Sequence, residues 1–471
     1  MTRKLTNRPG RGLRPLPRLA LAAALLFPLA ACDSLLDVED PDVALPEQLL
    51  DPSKLPTVRA AVLGDFGVAF SGAGFTTSNI GIVHISGLLT DELWHSGTYG
   101  QNREIDQRRV GNTNSLLIST TRNLYQAWRQ AQFAVGAYAQ TSPNTAAHAE
   151  MAALEAFLYV LLAENYCGAI PFSREVNGEF DYGTPETNQQ VYQRAVTAFD
   201  AAATIASTAG AGAARETNLI RIGKARTLVN QNRYAEAAAL VAGVPTSYRY
   251  VIEHSKNTDR QYNGLWQNNW GRREISLASQ EGRNGVMFRR GTTTAQNTIV
   301  SADPRVTWSF RNGAADTRSR HYFAGKYASQ DSSAVLASGI EARLIEAEAA
   351  LNRGQSATYL PILNTLRATV GLAALTDPGS AAARVDQFFE ERAMWLFGTG
   401  HRLGDLRRLV RQYGRAQNTV FPTGTYFRES NTGAQRDQGV YGTDVAFPMV
   451  FDEQNNEKFR AVMEQCNTSQ A

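Results

Sequence analysis

Cysteine is almost missing from this chain, with 3 in 471 residues. That is too few for a disulfide-stapled scaffold or a cysteine-built metal module. There is no Cys-x-x-Cys, no Gly-x-Ser-x-Gly and no Walker-type phosphate loop, so the motif basis for dithiol, α/β-hydrolase and P-loop chemistry is lacking. Gly72-x-Gly74 lacks a third glycine and a preceding strand signal. The six histidines are scattered. Glu92-Leu93-Trp94-His95 has the Glu-x-x-His spacing of carboxylate metal sites, but a real site needs a second such pair and none is present. No metal and no cofactor are therefore expected. Charge is sparse as well, at 19% of residues against the ~25% usual in soluble domains. The net charge of +3 is misleading, because residues 1–31 carry six basic and no acidic residues. The rest holds 41 basic against 44 acidic residues, a balance that offers no field for nucleic acid.

What is present begins with an export signal. Arg3 to Arg18 form a basic n-region and Leu19 to Ala30 an apolar stretch of twelve residues. As a helix this rises about 18 Å, short of the ~30 Å hydrocarbon layer, so it reads as a secretory signal rather than a membrane span. It ends in Leu29-Ala30-Ala31-Cys32, which is similar to a bacterial lipobox, in which the cysteine is diacylated and becomes the mature N-terminus. Two acyl chains anchor stably where one does not. Residues 32–50 then open with an acidic, proline-broken segment, Asp33 to Asp42, expected to hold the body off anionic head groups.

With 43% hydrophobic residues the remainder can bury a full core, and helical periodicity dominates it. Leu124, Ala127, Trp128, Ala131, Val135 and Tyr138 recur at three- and four-residue steps. Further helices are expected over His148–Tyr166, Asn188–Ser207, Asn218–Gln231, Tyr234–Val241, Ala337–Asn352, Ala357–Val370, Ala383–Phe397 and Gly404–Tyr413. Several form antiparallel pairs across short polar turns such as Asn230-Gln231-Asn232-Arg233. Lys224 to Ala237 resembles a tetratricopeptide helix-turn-helix, without a regular 34-residue period. Three Gly/Asn/Thr-rich stretches with aromatics, roughly 64–118, 245–333 and 414–450, interrupt the helices and are expected to carry function or short strands.

Several segments resemble the SusD/RagB-like outer-membrane nutrient-binding lipoproteins. Glu164-Asn165-Tyr166-Cys167-Gly168-Ala169-Ile170-Pro171-Phe172 is similar to that family's "Y-G-x-I-P-F" element. Arg343 to Ala349 is similar to its "R-L-x-E-A-E" helix, and Glu391-Arg392 through Gly400-His401-Arg402-Leu403-Gly404-Asp405-Leu406-Arg407-Arg408 to its "E-R … G-x-R-x-x-D-L-x-R" signature. Phe447-Pro448-Met449, with Glu453 and Asn456, is similar to its C-terminal segment. Two departures are Thr399-Gly400 where the family has Glu-Gly, and Cys167 before the glycine of "Y-G". Arg402 and Asp405 lie three residues apart and can pair with each other or with Glu391, as structural residues rather than ligand contacts.

The resemblance implies a mainly α fold: degenerate tetratricopeptide-like helix pairs forming a right-handed superhelical scaffold, with long loop-rich insertions carrying short strands. It implies a signal peptide over 1–31, an acidic tether over 32–50 and one SusD-like domain over 51–471. The function implied is that of a surface-exposed, lipid-anchored outer-membrane protein, not an enzyme. It would bind a glycan or other nutrient and hand it to a TonB-dependent, SusC-like transporter. Two alternatives stay open: a helical-repeat scaffold lipoprotein without a small ligand, and a lipid-anchored glycoside hydrolase using paired acids such as Asp91-Glu92.

A sugar receptor needs flat aromatics for the C–H faces and amides or charged groups for the hydroxyls. Two clusters have that composition. The first runs from Trp94 to Arg103, expected in a loop between helices, with Trp94, Tyr99 and Asn102 as candidate contacts. The second runs from Tyr262 to Trp270, with Tyr262, Trp266, Asn268 and Trp270. The same residues can equally pack the loops onto the helices. Once Cys32 is lipidated, Cys167 and Cys466 remain, either as a disulfide closing a loop of about 300 residues or as two unrelated thiols.

Overall fold

The computed structural model describes residues 48–75, 80–176, 179–293, 299–462 and 466–471. The signal peptide, Cys32 and the tether as far as residue 47 lie outside the described residues. Leu50–Ala471 pack as one unit. Its helices, in chain order, are α1 (Leu55–Ser71), α2 (Ile82–Leu88), α3 (Gly100–Asp106), α4 (Ser115–Thr141), α5 (Ala146–Asn165), α6 (Asn188–Ala209), α7 (Ala214–Asn230), α8 (Tyr234–Val241), α9 (Gly264–Trp266, continued by a π-helical turn over Gln267–Gly271), α10 (Gly339–Asn352), α11 (Ser356–Ala368), α12 (Ala381–Trp395) and α13 (Arg402–Arg411). The strands are short and form antiparallel pairs: β1 (Leu93–His95) with β5 (Ile275–Leu277), β2 (Arg174–Val176) with β3 (Glu179–Asp181), and β4 (Arg249–Ile252) with β10 (Ala334–Ser338). The others pair β6 (Gly291–Thr293) with β7 (Ile299–Ser301), β8 (Trp308–Asn312) with β9 (Arg320–Ala324), and β11 (Thr425–Glu429) with β12 (Gln435–Val440).

Helix α5 is the core of the helical scaffold. It is apolar on every side, and such a helix has to be wrapped by others. From His148 to Asn165 only Glu155 is not fully buried. By length and composition it is long enough to cross a membrane, but it lies inside the protein. Thr145 caps its start, its hydroxyl accepting from the amide of His148 at 3.2 Å. Helices α4, α6 and α7 pack around it, and α7 pairs with α8 as α10 does with α11. This mainly α arrangement, with short strands in the insertions, is the architecture expected from the sequence.

Close packing here rests on Gly223 of α7. A Cβ at that position would lie 2.3 Å from the ring of Phe199 and 2.7 Å from that of Phe157, two fully buried rings in T-shaped contact at 5.3 Å. Gly223→Ala should therefore cost about 1–3 kcal/mol through overpacking, outweighing the ~1 kcal/mol that alanine gains in helix propensity. A urea-unfolding midpoint equal to or above wild type would contradict this.

The signature residues form a buried ionic network, but not with the partners expected from spacing. Arg402 does not pair with Asp405. It forks onto Asp91, at 2.6 and 2.7 Å. Asp405 instead accepts from Arg392 at 2.9 Å and from Arg408 at 2.7 Å. Arg408 also reaches Glu348 of α10. Glu391 is held by Arg305 and Arg367, at 2.6 and 2.5 Å. Asp405 thus keeps one helical neighbour at three-residue spacing, Arg408, while Arg402 turns to a carboxylate from another part of the chain. Arg407 caps α5, donating to the carbonyls of Glu164 (2.8 Å) and Tyr166 (3.0 Å).

Other differences from the sequence reading have local causes. The stretch over 64–118 holds α2, α3 and the C-terminal half of α1. Residues 334–338 form a strand where a helix was expected from Ala337, because Ser338 pairs with Arg249 and caps α10 through the amide of Glu341. At the C-terminus, Cys167 and Cys466 are joined, with Cα atoms 5.1 Å apart.

Candidate functional site

The first aromatic cluster is divided between β1, a short loop over 96–99 and α3. Trp94 sits in β1 opposite Ser276 of β5 and is 3% exposed. It lines a small internal cavity of about 70 Å³ with Glu281, Arg289 and Tyr441. Tyr99 is the residue before α3, in an extended conformation (φ −69°, ψ 121°) that turns its ring outward; it is 48% exposed. Asn102 lies one turn into α3 and is buried.

Seven residues make a helix too short to persist alone, so α3 depends on its neighbours. Its C-terminal Asp106 accepts from the amide of His95 and the hydroxyl of Tyr426, both at 2.6 Å, and burial raises its pKa. Its N-terminal turn is tied to α4 through Asn114, whose Nδ2 donates to the carbonyl of Gln101 (3.0 Å) and to Glu104 (2.8 Å). Tyr99 and Asn102 therefore stand on a braced element.

Facing them is the chain that follows the π-helical turn. Arg272 lies between two exposed rings, its guanidinium 4.4 Å from the centroid of Phe75 and 5.4 Å from that of Tyr99. It donates to Glu274 at 2.6 Å and to the Tyr99 hydroxyl at 3.2 Å. Burial opposes its charge, but Glu274 and Tyr99 more than offset this and raise its pKa. Phe75 follows the Gly72-Ala73-Gly74 turn at the end of α1 and is 58% exposed. Together with Ile80, Gln101, Ser115 and Leu116 these residues enclose a cavity of about 330 Å³, within the range of small-ligand sites. Among the described residues the Oδ1 of Asn102 in its wall has no hydrogen-bond partner.

Chemically, the cavity offers two ring faces, a charged but paired fork, and beside them the buried Oδ1 of Asn102, unpaired among the described residues. Among the described residues that line it, no side chain is placed as a nucleophile or a general acid–base pair. The adjacent acids Asp91 and Glu92 are both buried elsewhere, Asp91 on Arg402 and Glu92 accepting from the amide of Gly398 at 3.0 Å.

The second cluster joins the site only through its continuation. Asn268 is buried, its Nδ2 on the carbonyl of Gly264 at 2.9 Å. Trp270 donates from Nε1 to the carbonyl of Ala324 at 2.9 Å and lies on Phe323 at 4.5 Å between centroids. Tyr262 and Trp266 are half-buried. None of these four lines the cavity of Tyr99 and Asn102. Phe75, Arg272 and Glu274 do, and the sequence reading passed over all three. The signal for two of them was adjacent, since Arg272-Arg273-Glu274 directly follows Trp270-Gly271.

No protein-family profile and no curated protein sequence matches the chain. Solved structures do. A SusD superfamily protein from Bacteroides vulgatus ATCC 8482 aligns over 87% of this chain and 98% of its own at 15% identity, with a TM-score of 0.61. A SusD-like carbohydrate-binding protein from Bacteroides fragilis NCTC 9343 covers 86% and 98% at 14% identity and 0.60. Surface glycan-binding protein A from Bacteroides thetaiotaomicron covers 87% and 98%, also at 14% and 0.60. The fold is SusD-like. In this SusD-like frame the network of Arg392, Arg402, Asp405 and Arg408 lies inside the helical body, while Tyr99, Asn102 and Arg272 stand on the inserted segments.

Proposed function

We propose that this chain is a SusD-like glycan-binding lipoprotein that captures a saccharide in the cavity of Phe75, Tyr99, Asn102 and Arg272. The observation that carries the reading is the pair of exposed rings flanking a charged arginine, beside an Asn102 Oδ1 that is unpaired among the described residues. Exposed aromatics so arranged suit the C–H faces of sugar rings, and Asn102 suits a hydroxyl donor. Neighbours of the same fold that are described as carbohydrate- or glycan-binding support the ligand class. The burial of Asp91 and Glu92 speaks for binding over hydrolysis. The lipobox at Cys32 supports anchoring at the outer membrane. From there the protein would pass its ligand to a TonB-dependent, SusC-like transporter. A tethered receptor needs only modest affinity, because the anchor keeps its local concentration high.

A panel of neutral and acidic oligosaccharides immobilised on an array tests the ligand class. At least one glycan should be retained, and Tyr99→Ala should weaken its binding about tenfold, by analogy with the ~1–3 kcal/mol of a stacking contact. Helical circular dichroism should stay unchanged. Retention of no glycan, or an unaltered Tyr99→Ala variant, would overturn the reading.

A further inference from the structure

A second cavity, of about 600 Å³, opens on the helical scaffold. It is lined by Trp128 and Gln132 of α4, Phe172 after α5, Gln190 and Arg194 of α6, and Tyr182 just beyond β3. Its floor is aromatic: Phe172 meets Trp128 and Tyr159 at 5.2 Å each, and the Arg194 guanidinium lies 4.9 Å from the Phe172 centroid. At its mouth Tyr182 is 39% exposed, and the 69%-exposed Phe180 beside it continues the ring surface, with centroids 6.4 Å apart and planes within 24°. A phenylalanine left so open beside a second ring is the kind of apolar surface that marks a binding site.

The platform is held rigidly. Lys458 donates to the carbonyl of Tyr182 at 2.5 Å, and Asn456 donates to that of Gly183 at 3.3 Å. Gly183 donates to Ser173 Oγ at 3.1 Å and lies so close to Phe172 that a Cβ there would come within 2.5 Å of its backbone. An anchored backbone beneath a stacking ring lowers the entropy lost on binding, which suits a stacking site. The charged groups in the lining pair with one another: Arg174 with Asp181 at 3.1 Å, Arg194 with Glu186, and Lys458 with Asp181 at 3.7 Å. Gln132 and Gln190 supply amides for hydroxyls.

We propose that this cavity is a second, independent saccharide-binding site, with Tyr182 as its stacking platform. It shares only its chemistry with the site of Tyr99, so each can fail without the other.

Isothermal titration of the mature chain with maltohexaose, cellohexaose, xylohexaose and mannohexaose tests it. At least one neutral hexasaccharide should still bind Tyr99→Ala at one site per chain. Adding Tyr182→Ala in that background should weaken this residual binding at least about fivefold, and Tyr182→Phe should retain it. If Tyr99→Ala abolishes all binding, the second site falls and the first stands. If Tyr182→Ala leaves the residual binding unchanged, the assignment is overturned. If Tyr99→Ala changes nothing while Tyr182→Ala removes binding, the second site stands and the first falls. Failure of every probe to bind the wild-type chain overturns both.

Discussion

Asp405→Ala should lower the unfolding free energy by about 3–5 kcal/mol, the range for removing one partner from a buried ionic cluster. Asp405 is 3% exposed, as is Arg392, and Arg408 is 2% exposed. Without the carboxylate, the two guanidiniums keep their charge in a region with little water to solvate it, and Glu348 is left to balance Arg408. Burial opposes the charge on Asp405, yet Arg392 and Arg408 overcome this and hold its pKa below the ordinary value of 3.8. A depressed carboxylate contributes stability that is fully present above that value and lost as pH falls through the folded pKa. The variant should therefore lose stability at pH 7 and lack this part of the wild-type acid dependence. Urea-unfolding midpoints between pH 3 and 7 check both points. A difference below about 1 kcal/mol at pH 7 would mean that the network adds little to the fold.

Removing the Cys167–Cys466 link is the second large effect expected. The two residues are 299 positions apart, and the chain-entropy model assigns loops of such length roughly 4–5 kcal/mol, with measured losses typically 2–5 kcal/mol. The bond fastens a C-terminal tail that otherwise has few anchors, among them Val445 donating to the carbonyl of Thr468 at 2.7 Å and Thr468 Oγ1 to Asp444 at 2.6 Å. It does so next to the point where the amide of Cys167 donates to the carbonyl of Phe447 at 2.9 Å. Cys466→Ser should lower the urea midpoint, and reductant should lower the wild type to match. Thiol titration of the unfolded, unreduced mature protein, its Cys32 lipidated, should find none, and two after reduction. Two free thiols before reduction would contradict the link.

Much of the helical body was legible because its apolar residues repeat at helical spacing and its caps are ordinary. Asn114 before α4, Thr187 before α6 and Ser380 before α12 each accept from amides two or three residues on. Helix α1 was obscured by Gly64 and Gly67 inside it, although Val58, Val62, Phe66 and Phe70 form its buried face. Helix α3 was illegible for a different reason, since Asn114, His95 and Tyr426 hold it from outside. The candidate site was half legible. Tyr99 and Asn102 stood out as polar and aromatic neighbours, and the structure places both in one cavity. Their partners Phe75 and Arg272 are nearly two hundred residues apart in sequence, and nothing local in either segment announces that they meet. The Trp266–Trp270 spacing was ambiguous for a physical reason: a tryptophan offers the same flat face to a sugar as to Phe323.

The central claim, a saccharide held at Tyr99, is tested most directly by a crystal structure of the protein with the oligosaccharide that the array selects. The account predicts a sugar ring over the exposed face of Tyr99 or Phe75, with a hydroxyl within hydrogen-bond distance of Asn102 Oδ1. A structure with that cavity empty and the oligosaccharide elsewhere on the chain would contradict it.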